Sequence, residues 1–439
     1  MKSEKTAAHP LAQTAAELRS GQRNLEAYVA ECCKRIDEWD GDIRAMLPEA
    51  NRLQRVLDAA AGLASGGEIP PLFGILVGVK DIFHVEGFET RAGSGVPPEV
   101  LTGPEGGCIK ALREAGALVL GKSVTTEFAC FKPGPTRNPR NLSFTPGGSS
   151  SGSAAAVAAG YCSLSLGSQT IGSVIRPAAF CGIVGFKPSY ARIDISGFVH
   201  CSPSVDTIGM FTQDVAGMEM AAAVLCGGWR ASVTRSDKPT LGIPAGPYLD
   251  QTEPRARVDF DAQIQALRTA GYNVREVRML DDIDDINDRH RNMMKGEMAE
   301  VHAPWFDKYA STYDAGTRAL VEEGRALSQS EIDAGRMGRM ELREEVESLM
   351  KKEGIDLLAC PAATGPALKG LASTGDPCMN LPWTHTGMPV IALPAGRASD
   401  SGMPLGIQFV APFHRDEELL AWAALLERDL LHFSQRSKK

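Results

Sequence analysis

Hydrophobic positions near the start of the chain recur at the spacing of an amphipathic helix. Between Leu11 and Leu63 apolar residues return every three or four positions, with a break at Ser20 and Gly21. This period places them on one face of a helix, and the Ser-Gly pair marks a turn. The pattern predicts an N-terminal helical layer over residues 1–65.

The pattern changes at Pro70, where β-branched and apolar residues form a continuous run that ends at Lys80. Such a run is typical of a strand buried on both faces, here with a lysine at its end. A helical pattern from Ile109 then leads into a further apolar run, Ala117–Leu120. Short strands that alternate with helices of about ten residues favour an α/β fold over an all-helical or sandwich fold.

The second half of the chain begins with a charged helical pattern over about 257–352 and returns to strand patterns afterwards. We find no internal repeat and no low-complexity linker. The sequence therefore predicts a single domain over 1–439, with a core at 66–230 and C-terminal strands and a helix at 353–439. The C-terminal elements are predicted at Leu357–Cys360, Val390–Pro394, Leu405–Val410 and Asp416–Leu431.

Composition and charge exclude several classes of protein. Of 439 residues, 43% are hydrophobic and 23% charged, which is typical of a globular chain. The net charge of −8 argues against a nucleic-acid partner. No apolar run approaches the roughly 20 residues that cross a bilayer, and the polar N-terminus does not resemble a secretory signal. We expect a cytoplasmic protein with no membrane association.

Cysteine and histidine spacing predicts neither a metal site nor disulfides. The ten cysteines include no C-x-x-C pair, and no two of the eight histidines lie four positions apart. Zinc sites and disulfide frameworks normally show such spacings. We therefore expect reduced, buried cysteines and no metal.

Two short motifs match known expressions but lie in the wrong context. Gly116–Ser123 fits the phosphate-loop expression G-x-x-x-x-G-K-S, yet its variable positions are themselves the predicted strand rather than a loop after one. Gly148–Gly152 fits the nucleophile elbow G-x-S-x-G, with Ser150 at its centre. An elbow follows a strand directly, whereas four prolines interrupt residues 131–146. We reject both interpretations.

A longer pattern carries the functional signal. Lys80 is followed by PGGSSSGSAAAVAAG at 146–160 and by GSQTIGSVIRPAAFCG at 167–182, which places Ser149 and Ser173 24 positions apart. Together these three pieces resemble the signature of the amidase signature family, the Ser-cisSer-Lys hydrolases, and further landmarks extend the resemblance over nearly the whole chain. Ser173–Pro177 and Leu371–Pro377 resemble its malonamidase-like branch. The resemblance implies a mixed central β-sheet covered by α-helices on both faces.

The resemblance also implies catalytic roles. Ser173 would be the nucleophile, Ser149 a proton relay after a cis peptide bond, and Lys80 the base. A lysine buried at a strand end loses hydration, which lowers its pKa and allows it to accept a proton near neutral pH. The backbone amides of Thr170, Ile171, Gly172 and Ser173 are the expected oxyanion hole.

Two residues in this loop depart from the family pattern. Gln169 and Ile171 stand where the family usually has Asp and Gly. Backbone donors survive a side-chain change, but isoleucine adopts a positive φ only at a cost. The sequence therefore does not determine the geometry of the expected oxyanion hole at Thr170–Ser173, although we expect activity.

Substrate binding is expected around Arg176. In the malonamidase-like branch the matching arginine pairs with a substrate carboxylate. The alternative is that Arg176 is structural and forms an ion pair between the signature loop and a neighbouring acidic residue. Ser150 and Gly148 are further expected binding residues, and Asp206 resembles a carboxylate that braces a loop. The loop Met379–Met388, with Trp383 and His385, is the candidate pocket wall.

The resemblance implies an amidase without a cofactor that acts on a small molecule, and a homodimer. The expected substrates are carboxylic amides, with carbamates (urethanes) and esters as further classes. One alternative is a narrow malonamidase-type hydrolase, in which Arg176 binds the carboxylate, and another is an amidotransferase subunit. The third, from another class, is a catalytically inactive binding protein, which Ile171 suggests.

Overall fold

The structure is a computed structural model that describes residues 4–63 and 68–436. Residues 1–3, 64–67 and 437–439, where the predicted N-terminal layer and C-terminal segment extend, lie outside these ranges. The described residues form a mixed ten-stranded sheet, covered by helices, with the order β2-β1-β3-β5-β4-β9-β10-β8-β6-β7. Its strands are β1 Leu76–Lys80, β2 Leu118–Ser123, β3 Leu164–Gln169, β4 Val184–Lys187, β5 Thr207–Thr212, β6 Leu241–Ala245, β7 Val274–Arg278, β8 Leu357–Pro361, β9 Val390–Arg397 and β10 Pro404–Val410.

Helices precede the sheet, connect its strands and close the chain. Among the described residues they are α1 Leu11–Arg19, α2 Leu25–Ile43, α3 Arg52–Ala61, α4 Gly107–Glu114, α5 Ser151–Ala158, α6 Ile175–Cys181, α7 Val215–Leu225, α8 Pro247–Asp250, α9 Pro254–Thr269, α10 Ile283–His302, α11 Phe306–Tyr309, α12 Ala315–Ala326, α13 Gln329–Glu353, α14 Leu381–His385 and α15 Asp416–Arg436. The predicted α/β fold with a mixed sheet is confirmed.

The centre of the sheet brings the signature segments together. β1 pairs in parallel with both β2 and β3, and Val79 is opposite Leu166 in β3. Because the carboxyl ends of parallel strands lie at one edge, Lys80 at the end of β1 lies beside the chain that leaves β3 after Gln169. All residues of β1, β2 and β3 are buried, although only β1 and the first half of β2 form continuous apolar runs and β3 alternates leucine with serine or glycine.

The segment 257–352 differs from its prediction in one respect. It contains the edge strand β7 as well as helices α9 to α13. β7 reads VREVR, and most of its residues are exposed or only partly buried. The charged composition of β7 is similar to that of the neighbouring polar helices, and five residues are too few to distinguish the strand period from the helix period.

No helix in the described ranges is both long and apolar enough to cross a membrane.

Candidate active site

Lys80 is fully buried at the end of β1 and faces two hydroxyl groups. Its Nζ lies 2.8 Å from Ser149 Oγ and 2.8 Å from Ser168 Oγ. Burial lowers the pKa of Lys80 from 10.5 to about 7, and the negative charge of Asp206 partly opposes this shift. The amine therefore has a substantial neutral fraction at physiological pH and can accept a proton from a neighbouring hydroxyl.

Ser149 connects Lys80 to the cavity. The Gly148–Ser149 peptide bond is cis, as the resemblance implies. Ser149 and Ser173 both line one narrow cavity, and both side chains are largely buried. Gly147, which precedes this bond, has a φ of +81°, and a Cβ there would lie 2.9 Å from Pro177 Cα. Glycine is needed at this position because its backbone lies in the left-handed region and packs closely against α6.

The loop from Thr170 to Ser173 is held through its carbonyl groups. Its carbonyl groups are engaged: Thr170 O accepts from His290 Nε2 at 3.1 Å, Ile171 O from Thr384 Oγ1 at 2.6 Å, and Gly172 O from the Arg176 amide at 3.1 Å. The amides of Ile171, Gly172 and Ser173 have no acceptor among residues 4–63 and 68–436. Bonds on the carbonyl side hold the loop, while these three amides stay unpaired in the described part of the chain.

The two departures from the family pattern have structural explanations. Gln169 Oε1 accepts from the amides of Val174 and Ile175 at 2.8 and 3.0 Å, and its Nε2 donates to Thr384 Oγ1 at 2.9 Å. The glutamine thus caps the start of α6 and bonds the neighbouring helix α14. Ile171 does not adopt a positive φ, so the loop conformation needs no glycine at this position.

Arg176 is buried beside Ser173 and bonds only uncharged acceptors. Its Nε donates to Thr374 O at 2.8 Å, and its Nη2 donates to Gly148 O at 2.7 Å and Thr374 Oγ1 at 3.2 Å. Its Nη1 is buried without a partner in the described ranges, and Arg176 lines the cavity. Burial lowers the pKa of Arg176 to about 10, an effect that the charge of Asp376 opposes. Asp376 Oδ1 accepts the amide of Cys378 instead of binding the guanidinium.

The structure places other predicted residues behind the cavity. Ser150 Oγ donates to Ser168 O at 3.2 Å and accepts the Ser168 amide at 3.3 Å, so it braces a partner of Lys80. Gly148 contributes the carbonyl that Arg176 binds. Asp206 has the bracing geometry expected of it, because it accepts from Thr170 Oγ1 at 2.6 Å and from the amides of Cys201 and Ser202.

Trp383 and His385 do not line the cavity and are fully buried. Trp383 Nε1 donates to Tyr248 Oη at 3.0 Å, and His385 Nδ1 lies 3.2 Å from His290 Nδ1. The expected pocket wall was therefore wrong for these two residues, because their helix α14 packs behind the loop Thr170–Ser173, which we call the oxyanion loop after its expected role. The cavity is lined by Ala129, Cys130, Phe131, Ser149, Thr170, Ile171, Ser173, Arg176, Cys201, Met294, Thr374 and Pro377.

Several site residues were not identified from the sequence. Ser168 lies inside the signature segment, directly before Gln169, so the sequence already indicated that it would be near the site. Met294 and His290 come from α10, a charged amphipathic helix whose pattern gives no such indication. Within the described ranges, no group of three or more histidine, cysteine, aspartate or glutamate side chains could hold a metal ion. A larger open groove, lined between His84 and Lys110, includes neither Lys80 nor the two serines.

Comparison with known proteins agrees with this fold. The family model "Amidase" matches residues 27–420, and the chain belongs to the amidase family, the amidase signature hydrolases. One glutamyl-tRNA(Gln) amidotransferase subunit, from Koribacter versatilis (strain Ellin345), is 29% identical over 94% of this chain and 96% of the relative. A solved amidase structure superposes with a TM-score of 0.86 and 29% identity, covering 96% of this chain and 99% of the other.

A peptide amidase from Stenotrophomonas maltophilia shares the fold, with a TM-score of 0.82, 22% identity and 97% coverage of both chains. Membership of the amidase family supports amidohydrolase activity.

Proposed function

We propose that the protein hydrolyses small carboxylic amides that carry a free carboxylate, through an acyl-enzyme on Ser173. The observation that carries the carboxylate preference is Arg176, a fully buried guanidinium in the cavity wall whose Nη1 has no partner in the described part of the chain. A buried cation without a bound anion favours a negatively charged ligand, and a guanidinium suits a carboxylate in particular.

The proposed catalytic steps use Lys80, Ser149 and Ser173, and they are supported by the Lys80–Ser149 hydrogen bond and by the cavity that the two serines share. Neutral Lys80 accepts the proton of Ser149, which in turn accepts the proton of Ser173 as its Oγ attacks the amide carbonyl. The free amides of the loop Thr170–Ser173 stabilise the oxyanion. The proton returns through Ser149 to the departing amine, and water then hydrolyses the ester formed on Ser173.

The test compares malonamate with its methyl ester, which keeps the amide but lacks the charge. Wild type should prefer malonamate in kcat/KM by about 10–100-fold, the range expected of one charged hydrogen-bonded pair. Arg176→Gln should remove that preference. Because Arg176 also supports Gly148 and Thr374, the ratio between the two substrates, rather than the absolute rate, is the readout.

Arg140→Gln is the matched control. Arg140 likewise binds carbonyl groups, those of Cys181 and Gly182, but it does not line the cavity. This variant should retain the wild-type ratio. An acetanilide-type amide and an aryl carbamate complete the panel. If either is cleaved faster than malonamate and Arg176→Gln leaves the ranking unchanged, the carboxylate proposal fails and a broad amidase or urethanase remains. Full activity of Ser173→Ala would overturn the mechanism.

A second candidate function is that of a subunit in an amidotransferase complex. It is favoured by the name of a relative that matches along nearly its whole length. Glutamine also combines an amide with a free carboxylate, so the same cavity chemistry would apply. Ammonia release from glutamine that appears only when partner proteins co-purify with the chain would support this function. Turnover of malonamate by the isolated chain, with no response to glutamine, would contradict it.

A further inference from the structure

Two fully buried histidines that take no part in the proposed proton transfer meet behind the oxyanion loop. His290 lies on α10 and His385 ends α14. Their Nδ1 atoms are 3.2 Å apart, and their rings are inclined by 67°. The other nitrogen of His290, Nε2, lies 3.1 Å from the carbonyl oxygen of Thr170. A chain of hydrogen bonds therefore runs from His385 through His290 to the loop.

The carbonyl acceptor at the end of these hydrogen bonds determines which ring nitrogens of the two histidines carry hydrogen. A carbonyl oxygen only accepts, so His290 Nε2 carries a hydrogen. Burial lowers the pKa of His290 to about 3 and that of His385 to about 2, so both rings are neutral at physiological pH. In neutral His290 the Nδ1 is then the acceptor, and His385 Nδ1 is the donor. The pair holds His290 in the one tautomer that can bind Thr170.

This contact acts on the first peptide of the oxyanion loop. The carbonyl of Thr170 and the amide of Ile171 belong to the same planar peptide, so fixing the oxygen also fixes the direction of the N–H. That N–H is one of the three free amides described above. Thr384, the neighbour of His385, holds the next peptide through Ile171 O. Helices α10 and α14 thus orient successive donors from behind.

We propose that His290, held in its tautomer by His385, is a positioning residue that aims the Ile171 amide at the developing oxyanion. The inference rests on the proposed acyl-enzyme function. A donor that acts in the transition state changes kcat while leaving KM nearly unchanged. A residue that only stabilises the fold changes the melting temperature without this effect.

The experiment measures kcat, KM and Tm for wild type, His290→Leu and His290→Gln with malonamate and with p-nitrophenyl acetate. Complete loss of an oxyanion donor costs about 100–1000-fold in kcat. Because His290→Leu leaves the amide present but misdirected, we expect a loss of about tenfold, with KM within about threefold of wild type. His290→Gln keeps an N–H near the position of Nε2 and should restore kcat to within about threefold of wild type.

His302→Leu is the matched control. His302 is a buried histidine on the same helix, its Nδ1 bonds Tyr313 Oη at 2.8 Å, and its ring packs against Phe128 and Trp305 rather than the loop Thr170–Ser173. This variant should lower Tm and leave kcat within about twofold. Where His290→Leu does not fold, His385→Leu and His385→Asn give the same comparison: the leucine variant should lower kcat by about threefold or more, and asparagine, which keeps a donor near Nδ1, should restore it.

Wild-type kcat in folded His290→Leu, or equal losses of kcat in His290→Leu and His302→Leu, would overturn the inference and leave the proposed function intact. Failure of glutamine or asparagine to restore kcat in folded protein would also overturn it. Absence of turnover by wild type with both substrates would instead overturn the proposed function, and the inference with it.

Discussion

Two buried lysines show which feature makes Lys80 suitable as a base. Burial lowers the pKa of both Lys80 and Lys187 to about 7. Lys187 Nζ donates to the carbonyls of Pro188 and Met388, at 3.1 and 2.6 Å. Carbonyls have no proton to give, whereas the Ser149 and Ser168 hydroxyls beside Lys80 do. A lowered pKa makes a neutral amine available, and the neighbouring hydroxyl determines that it can act as a base.

This difference predicts the pH dependence of the reaction. The neutral amine is the active form, so kcat/KM should rise with pH through about 7 and level off above it. Lys80→Met should lose nearly all activity because no base remains. A pH profile of kcat/KM from 5 to 9 with a substrate that does not titrate in this range measures both effects.

Lys187→Met provides the control for this profile. It removes the other lysine with a similarly lowered pKa, so the rise near pH 7 should persist. Loss of the rise in Lys187→Met, or its retention in a Lys80→Met variant that still turns over substrate, would show that Lys80 is not the titrating base.

At the scale of elements, the oxyanion loop depends on how helix α6 begins. Gln169 ends β3 and caps the Val174 and Ile175 amides, so one side chain joins strand, loop and helix. Gln169→Leu should leave two buried amides unpaired and cost about 1–3 kcal/mol for each in the free energy of unfolding. We expect activity to fall at least tenfold, since the loop between strand and helix loses its support. Urea unfolding and steady-state kinetics measure the two effects.

Gln213→Leu is the control that distinguishes an effect on the oxyanion loop from an effect on overall stability. Gln213 likewise makes three hydrogen bonds, to the backbone of Ala7, His9 and Val157, but it lies outside the cavity lining. This variant should lose a similar amount of stability and keep its kcat. Equal losses of kcat in the two glutamine variants would contradict a specific role for the Gln169 cap.

The elements also differ in how far the sequence predicts them. β1, β2 and β8 are buried on both faces, and a continuous apolar run reports that directly. β7 at the sheet edge carries charges, and β6 contains Pro244, so neither shows a strand period. Burial alone therefore does not produce the signal: β6 is largely buried but its proline interrupts the pattern, and β7 is charged and partly exposed.

At the scale of the whole molecule, the site combines a local motif with distant contacts. Ser149, Ser173 and Arg176 lie within one signature and could be identified from it, together with Lys80. His290 reaches Thr170 from 120 residues away, and Thr384 reaches Ile171 from 213 residues away. No local spacing encodes such contacts, because they arise only when the sheet brings α10 and α14 behind the loop.

The reactivity of the cysteine thiols measures how well the interior of the whole molecule is packed. All ten are free and buried, and burial raises the pKa of most of their thiols, as in Cys32 and Cys162 to about 12. Since the thiolate is the reactive form, the native protein should react slowly with a disulfide reagent such as dithionitrobenzoate. Unfolding in guanidinium without reductant should expose ten reactive thiols, because none is held in a disulfide.

Cys130 is the expected exception among these thiols. It lines the cavity that contains Ser149 and Ser173 and is 8% exposed, more than the other nine cysteines. Its modification should be the first to occur and should block activity by filling the cavity beside Ser149, whereas Cys130→Ala should retain activity and remove this early phase. Several fast-reacting thiols in the native state would contradict the burial of the cysteines, and fewer than ten after unfolding would contradict their free state. An early phase that persists in Cys130→Ala would contradict its assignment to this residue.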